Sequence, residues 1–165
     1  MQGQEVTITD MMYCRDRRVQ IQNEFIEKYQ NPVISFCMNI PGPIKNTPLI
    51  RKGFGSGKEA LLASLEKENL VILESRIFDD ITGPEMLLCV SASAEKIKDL
   101  TTQIEENHPY GRLFDMDVSG TDGQKLSRPS FRKCLICDCQ AQECARSRKH
   151  TIAEMQDKIE EILSR

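Results

Sequence analysis

The sequence predicts an α+β fold with a ferredoxin-like βαββαβ core, a leading helix, and a C-terminal cysteine-rich segment followed by a last helix. The first observation is the order of elements from residue 32 to residue 118, which runs strand, helix, strand, strand, helix, strand. The second is a length of 165 residues without an internal repeat, linker or low-complexity tract, which predicts a single domain over residues 1–165. The third is the crowding of four of the seven cysteines into residues 134–144.

The first elements are predicted from caps, prolines and apolar spacing. Residues 9–29 predict an amphipathic helix that Thr9 and Asp10 can cap. Its expected buried side consists of three residues, Val19, Ile26 and Tyr29. Residues 31–40 ("NPVISFCMNI") predict a strand, and residues 41–46 ("PGPIKN") predict an irregular loop, because proline lacks an N–H group and fixes φ.

The second helix has a strong start and a weak middle. Thr47 can cap it and Pro48 suits its first turn. The glycines at positions 53, 55 and 57 lower helix propensity, so we expect the helix to weaken or break there. Residues 70–78 predict a strand, residues 82–85 ("TGPE") a turn, and residues 86–92 the next strand.

The last elements follow the same rules. Residues 93–107 predict a helix whose apolar stripe is formed by Ile97, Leu100 and Ile104. Residues 112–118 ("RLFDMDV") predict the fourth strand, and "GTDGQ" turns the chain back. The tail from Thr151 predicts a short helix with four aligned apolar residues, Ile152, Met155, Ile159 and Ile162.

Composition and charge exclude several classes of protein. The net charge is -3 without a block of like charge, which argues against a general nucleic-acid-binding protein. No apolar run approaches the roughly 20 residues of a membrane span, and "MQGQEVTITD" has neither the basic start nor the apolar stretch of a signal peptide. We therefore expect a cytoplasmic protein with no nucleic-acid or membrane partner and without a disulfide framework.

Two carboxylates share one face of the fourth strand. Side chains alternate along a strand, so Asp115 and Asp117 lie together, roughly 7 Å apart along the strand by the rise per residue. Hard cations take oxygen ligands, and Mg²⁺ usually combines one or two protein carboxylates with substrate phosphates. The pair therefore predicts either a magnesium site, with Arg112 before the strand holding a phosphate, or an ordinary solvated strand face.

Three further cations are candidates for an anion site. Arg15 and Arg18 are three residues apart on the first helix and share a face, and Lys45 ends the stiff proline-rich loop. The alternatives are a solvated helix face and a plain turn. The segment "GFGSGKEA" (53–60) is not a P-loop, because only three residues separate Gly53 from Gly57 and glutamate follows Lys58.

The cysteine-rich segment predicts a zinc site. Cys134 and Cys137 have the two-residue spacing that binds one tetrahedral ion, and Cys144 with His150 would complete a Cys₃His set. Cys139 is an additional thiol. The alternatives are a metal-free thiol-rich loop, a redox pair, or a role for His150 in catalysis or substrate binding instead of metal binding.

The ordered motifs resemble the citrate lyase holo-acyl-carrier-protein synthase family, also called the apo-citrate lyase phosphoribosyl-dephospho-coenzyme A transferases. The resemblance covers nearly the whole chain. It rests on six motifs in order: "RDRR" (15–18), "PGPIK" (41–45), "GPEM" (83–86), "HPYGRLFDMDV" (108–118), "LSR" (126–128) and "RKCLICDCQAQECARSRKH" (132–150). Arg15, Asp16 and Arg18 match in the first motif. The last motif matches at Arg132, Cys134, Cys137, Cys144, Arg146 and His150, and Cys139 is a departure.

The resemblance implies a reaction. Such enzymes take triphosphoribosyl-dephospho-coenzyme A and attach it to a serine of the acyl carrier (gamma) subunit of apo-citrate lyase, releasing pyrophosphate. The carboxylates Asp115 and Asp117 would then hold Mg²⁺ as catalytic residues with Arg112. The remaining phosphate-binding candidates are Arg15, Arg18, Lys45 and Arg128. An aspartate, His108 or His150 could act as the general base, and His108 is also a substrate-binding candidate.

Two other functions remain open at the level of sequence. One is a zinc-stabilised, non-enzymatic module that docks on citrate lyase or another complex. It explains the cysteines and the amphipathic tail but not the paired carboxylates and the basic helix face. The other is a nucleotidyltransferase that acts on a different carrier protein.

Overall fold

The computed structural model describes residues 1–165. Five helices follow the chain: α1 (Ile8–Tyr29), α2 (Pro48–Lys67), α3 (Ala94–Asn107), α4 (Ala141–Ser147) and α5 (Ile152–Leu163). Four strands accompany them: β1 (Val33–Met38), β2 (Val71–Asp80), β3 (Gly83–Ser91) and β4 (Phe114–Ser119). A turn of 3₁₀ helix, Gly111–Leu113, precedes β4. The predicted order of strands and helices is confirmed, whereas α4 was not predicted.

The four strands form one antiparallel sheet in the order β2-β3-β1-β4, so β1 is interior and β4 is an edge strand. Cys37 of β1 stands opposite Glu85 of β3 on one side and Asp115 of β4 on the other. The β2–β3 hairpin is longer than predicted, because Gly83 takes a φ of +105° and β3 already begins there. Glu85, expected in a turn, therefore lies within a strand.

The main core lies between one face of the sheet and helices α2 and α3, and it contains 14 buried residues. Phe36 of β1 stacks on Phe54 of α2 with ring centroids 4.7 Å apart, and it meets Phe114 of β4 edge-on at 5.3 Å. Met116 and Val118 of β4 belong to the same core. Because side chains alternate along a strand, Asp115 and Asp117 of β4 face the other side of the sheet.

Helix α2 continues through its glycines, contrary to the expected weakening. A Cβ at Gly57 would approach the ring of Phe36 to 2.6 Å and that of Phe114 to 2.7 Å. A Cβ at Gly53 would approach Leu163 of α5 to 2.5 Å. Burial against the sheet and α5 thus outweighs the propensity cost of about 1 kcal/mol per glycine, and these glycines allow the close approach.

Helix α1 covers part of the opposite face. Ile21 and Phe25 of α1 form a second buried cluster with Val33, Leu87 and Cys89 of the sheet. The predicted buried side was wrong at Val19, which is 54% exposed. The cap was also misplaced, because the helix is capped by Thr7, which forms a capping box with Asp10. Apolar spacing alone did not determine which face packs.

The C-terminal helix closes a third cluster. Ile159, Ile162 and Leu163 of α5 pack against Ile40, Ile50 and Leu113. Ile152, predicted on the same stripe, is 54% exposed, because it lies in the first turn, before the helix reaches the core. None of the helices combines the length and apolar character needed to cross a bilayer.

Candidate active site and metal centre

The predicted carboxylate pair, Asp115 and Asp117, is displayed on one face of β4. Both side chains are half-buried, and they alternate with the buried Phe114, Met116 and Val118. Across the sheet, Asp115 is opposite Cys37 and Asp117 is opposite Ser35 of β1. The shared face predicted from strand alternation is thereby confirmed.

The surroundings of the pair suit a cation. Burial raises the pKa of Asp115, and the like charge of Asp117 raises it further. Arg132, Lys125 and Arg18 act in the opposite direction, and Lys125 forms an ion pair with Asp117. Two half-buried carboxylates that repel each other supply the oxygen ligands that Mg²⁺ prefers, so the donor set fits that ion.

A half-buried thiol lies beside the pair. The Sγ atom of Cys37 is 3.9 Å from Oδ2 of Asp115. Burial raises the pKa of Cys37 to about 12, and Arg18 opposes the shift. The raised pKa disfavours the thiolate form that a nucleophilic cysteine needs.

Helix α1 brings Arg18 to this face but leaves Arg15 outside. Arg18 forms an ion pair and a hydrogen bond with Glu85, whose side chain is only 2% exposed. The neighbouring Arg17 pairs with Asp80 at 2.6 Å and approaches Glu85 to 3.6 Å. Arg15 is exposed and forms no hydrogen bond or ion pair, so the predicted anion-binding pair is split.

The proline-rich loop holds Lys45 near the same face. The Lys45 ammonium donates a hydrogen bond of 2.5 Å to the carbonyl of Ile40. Burial lowers the pKa of Lys45, whereas Cys37 acts to raise it.

Contact with the β2–β3 turn fixes the loop from outside. A Cβ at Gly83 would lie 3.0 Å from the carbonyl oxygen of Lys45, which shows how closely the two backbones approach. Lys45 has no carboxylate partner, so its charge remains available to an anion.

Three arginines lie along the outer edge of β4 around a buried carboxylate. Glu105 of α3 receives Arg128 at 2.7 Å and Arg132 at 3.4 Å. Burial lowers the pKa of Arg112, the nearby charges of Arg132 and Arg128 lower it further, and Glu105 acts in the opposite direction. Glu105 forms its ion pairs with Arg128 and Arg132 and not with Arg112, which leaves the Arg112 guanidinium free to bind a phosphate.

His108 lies away from the carboxylate pair. Its Nε2 atom is 3.1 Å from the hydroxyl of Ser56 on α2, and its Nδ1 atom accepts the N–H of Tyr110 at 3.0 Å. The ring packs on Phe114 with centroids 4.7 Å apart, on the face of the sheet that holds the main core. The structure does not bring His108 together with Asp115 and Asp117.

The predicted zinc ligands converge. The ligand atoms of Cys134, Cys137, Cys144 and His150 all lie within 4.8 Å of one another, and we call these residues the Cys–His cluster. The Cys137 and Cys144 sulfurs are 3.5 Å apart, and His150 Nε2 is 3.3 Å from the Cys137 sulfur. Ligand sulfurs around tetrahedral zinc lie roughly 3.8 Å apart, from Zn–S bonds of about 2.3 Å. The cluster can therefore hold a metal ion.

The extra thiol stays outside the cluster. Cys139 is exposed, and its sulfur lies 3.3 Å from the Lys149 ammonium. Its backbone carbonyl instead accepts the N–H of Cys134 at 2.8 Å, which closes the loop that presents the ligands. The hydrogen bond from His150 is the main cause that lowers the pKa of Cys137 to about 6.

Sequence reasoning missed the two buried carboxylates, Glu85 and Glu105. Glu85 stood in a predicted turn, and Glu105 precedes Glu106 near the end of an amphipathic helix, where paired acids usually face solvent. One signal was present for Glu85, because it lies two residues before the apolar Leu87 and four before Cys89, the spacing of residues on one strand face.

Comparison with known proteins extends over nearly the whole chain. A family model described as apo-citrate lyase phosphoribosyl-dephospho-CoA transferase matches residues 6–165. A protein of that name from Citrobacter koseri is 36% identical over 162 residues, which cover 96% of this chain and 88% of the relative. Proteins of the same name from Escherichia coli O7:K1 and Shigella boydii serotype 18 are each 34% identical over 163 residues, which cover 96% of this chain and 89% of each relative. The likeness spans the sheet, the carboxylate pair and the Cys–His cluster.

Proposed function

Because the chain belongs to the apo-citrate lyase phosphoribosyl-dephospho-CoA transferase family, we propose that it attaches the phosphoribosyl-dephospho-CoA prosthetic group to apo-citrate lyase. The donor in this proposal is triphosphoribosyl-dephospho-CoA, and the acceptor is a serine of the acyl carrier (gamma) subunit. The serine oxygen forms a bond to the phosphorus next to the ribose, and the bond from that phosphorus to pyrophosphate breaks. The enzyme is then a nucleotidyltransferase.

The carboxylate pair would hold Mg²⁺ for this reaction. Asp115 and Asp117 are the candidate ligands, and the repulsion between them is relieved when a cation is bound. The ion supplies charge neutralisation at the phosphate oxygens. Phosphoryl transfer depends mainly on positioning and charge, which agrees with a site built from carboxylates and fixed cations rather than from a nucleophile.

Cations on both sides of the pair would bind the phosphates of the donor. Arg18 and Lys45 lie on the β1 side, and Arg112 and Arg128 lie at the outer edge of β4. Arg112 and Lys45 form no ion pair with a carboxylate, so they are the best placed to bind the phosphates of the donor. Arg15 would contact only a part of the donor or carrier that extends beyond α1.

The serine proton needs an acceptor near the pair. His108 is hydrogen-bonded to Ser56, and His150 lies in the Cys–His cluster, so neither histidine is placed for this role. The proton would pass to an oxygen of Asp115 or Asp117 or to a phosphate oxygen of the donor.

We infer that the Cys–His cluster binds structural zinc. Three cysteines and one histidine form a complete tetrahedral ligand set, which is typical of closed structural sites rather than catalytic ones. The cluster connects the segment after β4 to α5, so zinc would fix the C-terminal part of the chain on the core. The metal-free loop and the redox pair leave the convergence of His150 unexplained.

We also infer a ferredoxin-like classification for β1 to β4 with α2 and α3. The placement of β3 between β1 and β2 supports it, since this splits the first βαβ unit. We further propose a cytoplasmic reaction without a nucleic-acid or membrane partner, in agreement with a net charge of -3.

The observation that carries the proposal is the carboxylate pair flanked by fixed cations in a chain that matches this family from residue 6 to residue 165. The test is to mix the protein with the apo acyl carrier subunit, the donor and Mg²⁺. The carrier should gain the mass of the prosthetic group on one serine. The fatty-acid acyl carrier protein is the control for acceptor choice.

No mass change with a donor of proven quality would contradict the proposal. Equal labelling of both carriers would retain the chemistry and favour a broader carrier specificity. A non-enzymatic docking module would bind the carrier without modifying it. The names of the relatives, all transferases, already favour an enzyme over that module.

A further inference from the structure

Glu105 is a buried charge that the proposed reaction does not use directly. Its side chain is 3% exposed, at the contact between α3 and the edge strand β4. Burial raises its pKa, and Arg132, the N–H of Met116 and Arg128 oppose that shift. Burying an isolated carboxylate is strongly unfavourable, so these partners are needed to offset the cost of burying Glu105.

One partner of Glu105 is the strand that carries the carboxylate pair. The N–H of Met116, the residue between Asp115 and Asp117, donates to Glu105 Oε1 at 2.8 Å. This N–H lies on the outer edge of β4, where no other strand pairs. Glu105 therefore fixes the strand at the point from which both aspartates project.

The other partners are two arginines of the segment after β4. Arg128 donates to Glu105 Oε2 at 2.7 Å, and Arg132 lies 3.4 Å from Oε1. Arg132 also donates to the carbonyl of Phe114 at 2.6 Å, so it is hydrogen-bonded directly to the backbone of β4. Residues 120–132 contain no helix and no extended strand, and without Glu105 these long side chains would be free to turn toward solvent.

We propose that Glu105 is a positioning residue: it holds Arg128 and Arg132 beside the carboxylate pair, where they meet the phosphate-bearing end of the donor. Arg132 thereby becomes a phosphate-binding residue. The inference rests on the proposed transfer reaction for the identity of the donor. Guanidinium groups that are already held in position bind anions more tightly than mobile ones, because less conformational entropy is lost when their charge-assisted hydrogen bonds form.

Glu106 provides a matched control. It follows Glu105 in the chain and pairs with the same Arg128 at 3.3 Å, but it is 50% exposed. Exposed ion pairs contribute little. The substitution Glu106→Gln therefore makes the same chemical change without disturbing the buried group.

The experiment measures binding of inorganic pyrophosphate in the presence of Mg²⁺ by calorimetry, using the full chain. We expect Glu105→Gln to raise the Kd for pyrophosphate about tenfold or more, because at least one charge-assisted contact is lost. Glu106→Gln should change this Kd less than about twofold. The double variant Arg128→Ala with Arg132→Ala should lose affinity to a similar degree. Adding Glu105→Gln to that double variant should have little further effect, since residues that act through one another are not additive.

Several results would overturn the inference. One is a Glu105→Gln protein that melts at a lower temperature but binds pyrophosphate like the wild type, because Glu105 would then only stabilise the fold. Another is full additivity with the arginine substitutions. If Glu105→Gln does not fold, unchanged pyrophosphate binding by the arginine double variant still refutes it, as does absence of binding by the wild type.

Failure of the proposed function gives a different pattern. A wild-type protein that binds pyrophosphate with the expected variant effects, yet leaves the acyl carrier subunit unmodified, contradicts the transfer reaction and retains the role of Glu105.

Discussion

Replacing Asp115 with asparagine should make the metal-free protein more stable and the enzyme much less active. Asp115 is half-buried next to Asp117, and its raised pKa shows that the folded state disfavours its charge. Asparagine has nearly the same shape and removes the charge. A carboxylate kept for folding would show the opposite behaviour, so the two effects together distinguish a functional pair from a structural one.

The magnitude follows from the spacing of the pair. Two unit charges about 7 Å apart, the spacing of alternate residues in a strand, repel by roughly 2.4 kcal/mol at an effective dielectric of about 20 and by about 0.6 kcal/mol in bulk water. Arg132, Lys125 and Arg18 attract Asp115 and offset part of this repulsion. We therefore expect a net gain of about 1 kcal/mol, or a rise in Tm of roughly 2–4 °C for a chain of this size.

The pH dependence has a defined sign. A carboxyl whose pKa is raised by folding contributes its stability below the unfolded value and loses it as the pH rises through the folded value. The wild type should therefore become less stable to unfolding than Asp115→Asn as the pH rises above the ordinary carboxyl pKa of 3.8. At acid pH the two proteins should converge.

The assay combines thermal or urea unfolding across pH, without Mg²⁺, with transfer to the acyl carrier subunit. The exposed Asp99→Asn is the surface control. Activity should fall roughly a hundredfold, since loss of a metal ligand removes on the order of 3 kcal/mol of transition-state stabilisation. A less stable Asp115→Asn protein at neutral pH, or one with full activity, would refute the reasoning.

Three further predictions test other parts of the site. The protein should contain about one zinc per chain, and a chelator under reducing conditions should lower its Tm. Metal analysis should show that Cys144→Ser loses the zinc and that Cys139→Ser retains it. A wild-type protein that is stable without zinc would contradict the site. Steady-state kinetics should show that Arg112→Ala raises the KM for the donor about tenfold, the loss of one charge-assisted contact, whereas the surface substitution Arg165→Ala does not; equal values for both would remove Arg112 from the site. Mass spectrometry after alkylation near pH 8 should find Cys139 modified and Cys37 unmodified, because burial raises the pKa of Cys37 to about 12; equal rates would show that Cys37 is accessible.

The parts of the structure that depend on local rules were predictable. The shared face of Asp115 and Asp117 follows from the two-residue period of any strand, whatever the strand packs against. The convergence of Cys134 with Cys137 follows from their spacing in a tight loop. The order of elements was predictable for the same reason, since caps, prolines and periodicity are properties of short segments.

The parts that depend on tertiary packing were not predictable. The predicted Ile26 does pack against the cluster of Ile21 and Phe25, but Val19 is 54% exposed although it also fits a helical stripe, and only the position of the sheet separates the two. Glu105 is buried because β4 has an unpaired edge and two arginines return to it from later in the chain. Neither fact is encoded within a few residues of Glu105, so a single sequence assigns it to solvent.

The contacts along the outer edge of β4 also protect the molecule against unwanted strand addition. An exposed sheet edge is a template for pairing with a strand of another chain. Here the carbonyl of Phe114 is taken by Arg132, the N–H of Met116 by Glu105, and the carbonyl of Val118 by the N–H of Leu126. A strand of another chain therefore cannot extend the sheet along β4. Any edge-to-edge aggregation of the folded chain would have to start at β2, the opposite edge.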